Sequence, residues 1–323
     1  MHYVKKYIKN TIYICKQILK GTLFIPPQSK GLKIIVIING KRIHGGLTDR
    51  FRHIMSIYYY CKQHNLEFKL SYTYPCPLEA ILLPNKYNWS ISESEISNSF
   101  WDTKEIEIFS AYKSKHIPKS QEIKYHLDIL NKSINKKKKN FQYHIYGNCY
   151  FAENKFSTLF NELFLPSEKL KKKINTLLNN IRSYEAIVLR FQQLLGDFQE
   201  GNYPILNDIQ KNELINRIIN KIESLKKEGY FTEEKILVTS DSLTFLKQVN
   251  TLPYVFIIPG ENIHMDFIKK QYPIETYMKS FVDLLMLSKA KKITCIKTNE
   301  MYNTGFPEFA ANIGNIKYNL IQI

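Results

Sequence analysis

The sequence predicts an α/β protein of two units, each built on a parallel sheet, preceded by a basic amphipathic helix. Three observations carry this. Short apolar runs alternate with amphipathic stretches in both halves. The runs are continuously apolar, as strands covered on both faces must be. The length of 323 residues exceeds most single cores. The expected division is a helix and linker over 1–30, a first Rossmann-like unit over 31–165 and a second over 166–323.

The elements follow in order. Val4, Ile8, Ile12, Cys15 and Leu19 recur at helical spacing, with Lys5, Lys6, Lys9, Lys16 and Lys20 on much of the remaining surface. Such a helix either lies on an anionic inner-membrane surface, using residues 1–24, or packs on the body of the protein. Pro26-Pro27 ends it. "KIIVIING" reads as a buried strand, "DRFRHIMSIYYYCKQHN" as a helix with Phe51, Ile54, Met55 and Tyr58 on one stripe, and "FKLSYTY" as the next strand. Between Pro75 and about Asn140 the signals are short and polar, predicting loops and small helices that include the acceptor loops. "NKKKKNF" reads as a solvated loop.

Leu159, Phe160, Leu163 and Phe164 form an apolar cluster before Pro166 and Ser167, which break and cap. Leu170, Ile174, Leu177, Leu178 and Ile181 then mark an amphipathic helix. Beyond it come "EAIVLRF" (strand), "NDIQKNELINRIINKIESLKKEG" (helix), "KILVTSDS" (strand), "LTFLKQV" (helix) and "YVFIIPG" (strand). "SFVDLLMLSKAK" (helix), "KITCIK" (strand) and the helix start "PEFAANIG" complete the pattern.

Composition narrows the partners. Against 29 acidic residues stand 46 basic ones, a net charge of +17 that favours anionic ligands. The basic residues are spread along the chain and no nucleic-acid signature accompanies them, so no nucleic acid is expected. Five cysteines without C-x-x-C spacing argue against a disulfide framework or zinc knuckle and suit a reducing cytoplasm. No apolar run approaches the ~18 residues that span a bilayer, and the first thirty lack an uncharged signal-peptide core.

Open α/β sheets bind ligands at the carboxyl ends of their strands, which directs attention to the residues just beyond each strand. Neither G-x-x-x-x-G-K-[ST] nor G-x-G-x-x-G occurs, and there is no D-x-D, so a P-loop, a dinucleotide fingerprint and metal delivery of a nucleotide are unsupported. "HGGLTDR" places Gly45 and Gly46 between the first strand and a helix opening with Asp49 and Arg50. Such a turn either admits a phosphate at the helix N-terminus or is a tight βα turn with Asp49 capping. Arg190 ends an otherwise apolar strand, where its planar fork needs a phosphate or a carboxylate such as Asp197. Asp241 tips the next strand, as a ligand contact or a helix cap. His264 and Asp266 lie on a loop, and Asn303, Thr304, Gly305 and Phe306 precede the last helix as a second phosphate nest. Together these suit a diphosphate held without metal.

"HGGLTDRFRHIMSIY", "YEAIVLRFQQLLGDF" and "SFVDLLMLSKAKKITCIKTNEMYNTGFPEFAANIG" resemble, in order, three motifs of the fucosyltransferase-like superfamily: the nodulation, core and protein O-fucosyltransferases and related bacterial capsule enzymes. The likeness covers most of the chain from about Gly31. Val188 stands where the family has His, Thr48-Asp49 replaces Gly-Asn, and Gly196-Asp197 lies farther from Arg190 than in the compact family motif.

The resemblance implies a GT-B glycosyltransferase, its two Rossmann-like domains facing a central cleft, with an N-terminal acceptor domain and a C-terminal donor domain. It implies metal-independent, inverting transfer, with no cofactor beyond the nucleotide sugar, here GDP-fucose. A glycan or lipid-linked glycan of surface polysaccharide would accept the sugar. By that resemblance Arg190 neutralises the β-phosphate, helped by backbone N–H groups at Thr304-Gly305 and Gly45-Gly46 and by Arg50. Asp241, His264 and Asp266 are nucleoside candidates, and Asp49 or His44 the base. The alternatives are another nucleotide-sugar donor on the same fold, or a non-enzymatic basic protein that binds polyanions.

Overall fold

The computed structural model describes residues 2–109, 117–151, 153–179, 181–198, 204–266 and 271–323. The chain divides into two compact units. The first comprises 1–44, 52–73 and 87–151; the second comprises 45–51, 74–86 and 152–323.

The first unit opens with helix α1 (His2–Leu19). The side chains of Val4, Lys5, Lys6, Ile8 and Lys9, expected on its two faces, lie outside the described residues. Among residues 11–20 only Gln17 is buried, so the apolar positions Ile12, Cys15 and Leu19 do not pack on the body. Strand β1 (Leu32–Ile38) is buried along nearly its whole length, and α2 (Leu47–His64) returns the chain to β2 (Glu67–Tyr72). The short β3 (Leu82–Pro84) belongs to the second unit. The segment expected to hold only loops and small helices contains β4 (Thr103–Ile108) and the fifteen-residue α3 (Lys119–Ser133), and β5 (Phe141–Gly147) follows it. The sheet is parallel throughout, in the order β2-β1-β5-β4.

In the second unit's long segment, 152–323, α4 (Phe156–Leu163) comes first among the α-helices, and its Leu163 leads directly into β6 (Phe164–Pro166). β6 pairs antiparallel with β3. The phenyl ring of Phe51, from the first turn of α2, contacts Phe160, Phe164, Phe281 and Phe309, an aromatic knot that explains why this turn clusters with the second unit. Next come α5 (Glu168–Leu178), β7 (Tyr184–Leu189), α6 (Asp208–Lys227), β8 (Lys235–Ser240), α7 (Leu243–Val249) and β9 (Val255–Ile257). Helix α8 (Ile274–Leu287), β10 (Lys292–Lys297), α9 (Phe306–Gly314) and an unforeseen edge strand, β11 (Lys317–Gln322), end the chain. The helix starts are chemically specified. Ser167 and Ser242 accept N–H bonds at α5 and α7, and Asn207 with Gln210 forms a reciprocal box at α6.

The second sheet is also parallel, in the order β11-β10-β7-β8-β9. The chain starts in the middle with β7, runs outward through β8 and β9, then returns to the other side of β7 with β10. The winding direction reverses between β7 and β10. Loops leaving adjacent strands on either side of such a reversal turn apart and leave a crevice at the carboxyl edge.

Candidate functional site

β7 delivers Arg190 to that carboxyl edge, at the reversal. Its side chain keeps 23% of its surface exposed, lies 4.6 Å above the Phe198 ring, and brings Nε within 3.3 Å of Asp241 Oδ2. Asp241 comes from the adjacent strand end: Leu189 pairs with Ser240 in the β7–β8 register, so the next residues are neighbours. The carboxylate also accepts from Phe191 N–H at 2.9 Å and Gln192 N–H at 2.8 Å. Burial pushes the Asp241 carboxyl above its usual range, against the pull of Arg190 and those backbone donors. Asp241 is therefore a bracket around the 190–192 turn, and its buried oxygens are not presented to a nucleoside.

The turn itself is strained. Gln192 has φ +53°, a left-handed conformation that glycine adopts more cheaply, and its side chain is buried. Sequence reasoning passed over this residue. A glutamine just beyond a strand carries no mark of a left-handed backbone.

Asp197 is not the partner of Arg190. Its Oδ2 accepts from Ser242 Oγ at 2.9 Å and Thr244 N–H at 2.7 Å, which commits it to the start of α7.

Across the switch point, β10 leads into Asn303–Phe306. Lys297 Nζ donates to Asn303 Oδ1 at 2.9 Å, Thr304 Oγ1 accepts from Phe306 N–H at 3.2 Å, and Gly305 caps α9. Pro307 removes one donor from the first turn. Thr304 and Gly305 donate their N–H groups to no other described residue and remain partly exposed, so this turn offers donors on the loop leaving β10, the strand paired with β7.

The structure gathers Gly45, Gly46, Asp49, Arg50, His264 and Asp266 into a second cluster, with different chemistry from that expected. Arg50 is fully buried. Its Nε donates to Gly45 O at 3.0 Å, Nη1 to Tyr74 O at 2.7 Å, and Nη2 to Met265 O at 3.1 Å and Asp266 Oδ1 at 2.6 Å. Asp266 Oδ2 accepts from Gly45 N–H at 2.5 Å. Arg50 is thus an internal clamp rather than a phosphate ligand, and Asp266 is its counter-charge rather than a nucleoside contact.

Gly46 N–H goes to Asp49 Oδ2 at 3.2 Å, so neither glycine amide is presented to a phosphate. Gly45 has φ +78°, and a Cβ there would approach Asp49 Cβ to 2.8 Å, so the position needs glycine on two counts. His264 Nδ1 accepts from Asp266 N–H at 3.2 Å, folding that loop back on itself. His44 is fully buried in the first unit, which withdraws its ring from an incoming hydroxyl.

A third network, missed from sequence, ties this loop to the Asp241 strand end. Asn262 Nδ2 donates to Ser240 O at 2.9 Å and to Asp283 Oδ2 at 3.0 Å, and Lys279 Nζ lies 2.6 Å from both Asp283 oxygens. Asp283 is therefore a buried loop anchor. Among the described residues, no group of three or more His, Cys, Asp or Glu side chains is placed to hold a metal ion.

No family model matches the chain, and no curated protein does. Solved structures do match. A NodZ α-1,6-fucosyltransferase soaked with GDP-fucose aligns with a TM-score of 0.52 at 14% identity, over 88% of this chain and 92% of that one. A variant of FUT1 from Arabidopsis thaliana in complex with GDP gives 0.55 at 10% identity, over 90% and 70%. POFUT1 in complex with GDP gives 0.52 at 10% identity, over 92% and 99%. The two parallel-sheet units, in this order and over nearly the whole chain, have the GT-B type fold of the fucosyltransferases.

Proposed function

We propose that this chain is an inverting glycosyltransferase that moves fucose from GDP-fucose to a glycan acceptor in surface polysaccharide assembly, without a metal ion. The observation that carries the reading is Arg190, fixed by Asp241 at the carboxyl end of β7, with the Thr304–Gly305 donors beyond the winding reversal. The structural neighbours reported with GDP or GDP-fucose bound support the choice of donor. Five cysteines, all free, fit a reducing cytoplasm.

The chemistry follows from charge. As the bond between the sugar C1 and the phosphate oxygen lengthens, the sugar becomes oxocarbenium-like and the leaving diphosphate gains negative charge. Arg190 and the amides at 304–305 meet that charge where a divalent ion would otherwise stand, each donor contributing about 3 kcal/mol to the transition state. The acceptor oxygen attacks the opposite face of C1, inverting it, and gives up its proton. Of the two expected bases only Asp49 retains partial exposure, so it is the one retained here.

The test is thermal. With a chelator present, millimolar GDP should raise the melting temperature and UDP or CMP should not. Arg190→Ala should abolish the shift and lower turnover by about 10²–10³-fold. An unchanged melting temperature with GDP would remove the reading. A shift with UDP-sugars instead would keep the fold and change the donor, and a shift with any polyanion would indicate the non-enzymatic alternative.

A further inference from the structure

Helix α1 is seated on the body by its polar edge. Tyr13 packs on Phe100 with ring centroids 5.8 Å apart, and buried Gln17, one turn on, accepts from Thr22 Oγ1 at 2.6 Å. At about 100° per residue, Ile12, Cys15, Ile18 and Leu19 fall on the side away from that seat, with Lys16 and Lys20 on the flank between. The exposures agree: Ile12 is 50%, Ile18 46% and Leu19 86% exposed. An ordinary surface helix buries its apolar stripe and turns its polar face to water. Here the arrangement is reversed.

The apolar surface continues beyond the helix. Phe24 is 77% exposed, and Trp101, 59% exposed, donates Nε1–H to Leu23 O at 2.9 Å while its ring meets Phe100 edge-on. Phe100 therefore supports both Tyr13 of the helix and Trp101 of the neighbouring loop.

We propose that this face docks on an anionic phospholipid bilayer. The helix sequence contains Lys5, Lys6, Lys9 and Lys16 and no Asp or Glu. Phosphate headgroups neutralise such a surface while the acyl boundary takes the isoleucines, leucine and phenylalanine. A second copy of the chain would instead press Lys16 and Lys20 against their own images. Glu105 already engages Lys20 at 3.7 Å and Arg42 at 3.4 Å, and Asp102, next to Trp101, is buried on the Gln28 and Ser29 amides. A partly exposed indole with its N–H satisfied suits the headgroup level. This docking does not depend on the identity of the donor.

Both tryptophans serve the test, because Trp89 is fully buried and any emission shift on vesicle addition reports Trp101. The full chain should co-sediment at low salt with vesicles of phosphatidylcholine and phosphatidylglycerol, with a blue shift. It should partition at least about tenfold less onto pure phosphatidylcholine. Ile18→Glu with Leu19→Glu, at exposed positions, should lower partition by about tenfold or more while leaving the melting temperature unchanged. Lys16→Glu with Lys20→Glu should reduce binding to the anionic vesicles alone. Binding that survives the Ile18/Leu19 substitutions would be diffuse attraction of a basic chain and would overturn the proposal. So would the absence of vesicle binding. A dimer in sedimentation velocity that the same substitutions dissolve would assign the face to a second copy instead.

Discussion

The two units bury polarity in different proportions. The interior of the first holds four histidines, His44, His53, His126 and His144. Burial, reinforced by the neighbouring His44 and His126, pushes His53 down to about 3, and burial takes His144 to about 4 against the pull of Asp102. His126 is lowered by burial too. Two of them have neutral partners, the Cys149 thiol 3.1 Å from His53 Nδ1 and Gln142 Oε1 3.0 Å from His144 Nε2, while His126 Nε2 lies 3.9 Å from the Glu122 carboxylate. The second unit sets charges in pairs: Arg50 with Asp266 and Lys279 with Asp283 in its interior, and the partly exposed Lys292 and Arg190 on the buried carboxylates of Glu185 and Asp241. The first interior does hold one carboxylate, Asp102, on the N–H groups of Gln28 and Ser29 and the Ser97 hydroxyl, but the second is the one that pairs opposite charges repeatedly and sets a cation at a sheet switch point. A site that must receive a doubly charged phosphate is easier to build where charge is already compensated.

Four experiments break or sharpen that contrast. The largest effect should come from Arg50→Ala, which strands a buried carboxylate and should cost about 3–5 kcal/mol in urea unfolding. Arg50→Met with Asp266→Leu should recover most of the loss; if it does not, the clamp has a role beyond compensating charge. Asp241→Asn keeps the shape but can accept only part of what the carboxylate accepts. It should cost about 1–3 kcal/mol in stability and raise KM for the donor more than that of a distant surface control.

Acid is the next lever, and it acts on the first unit. The unfolded chain protonates histidine below about pH 6.5, whereas folded His53 stays neutral to about 3. Stability from each such group is therefore complete above 6.5 and falls by about 1.4 kcal/mol per pH unit below it. Asp241 works in the reverse direction. Its folded value is raised, so its ionisation costs stability as pH climbs through the carboxylate range. Both tryptophans lie in the first unit, so their emission should report acid unfolding before hydrogen exchange shows opening of the second. Simultaneous loss would contradict the contrast. The smallest effect is a gain: Gln192→Gly should relieve the left-handed turn and add about 1 kcal/mol.

The strands β7 to β10 were legible because each carries a short, mostly apolar run: AIVL in β7, ILV in β8, VFI in β9 and ITCI in β10. β5 was not, although it is fully buried, because "FQYHIYG" carries Gln142 and His144. Gln142 is satisfied by Ser97 N–H and Glu95 O, contacts that no periodicity encodes. β4 was hidden by its charges, since Glu105 and Glu107 of this edge strand pair with Arg42 in solvent. At the site, an Arg ending an apolar strand was readable and its carboxylate was not. Asp197 is nearer in sequence, but the register of β7 on β8 places Asp241 beside Arg190. The Gly45-Gly46 turn misled because a buried clamp and a phosphate nest use the same residue types. Only the direction of the amides, toward Asp266 and Asp49, tells them apart.

The grip of Asp241 on two successive amides has a kinetic corollary. Because those amides lie on the turn that carries the guanidinium, the freedom of Arg190 is largely surrendered when the protein folds, before any ligand arrives. Loosening that grip should therefore shorten the residence time of a bound nucleotide far more than it slows capture.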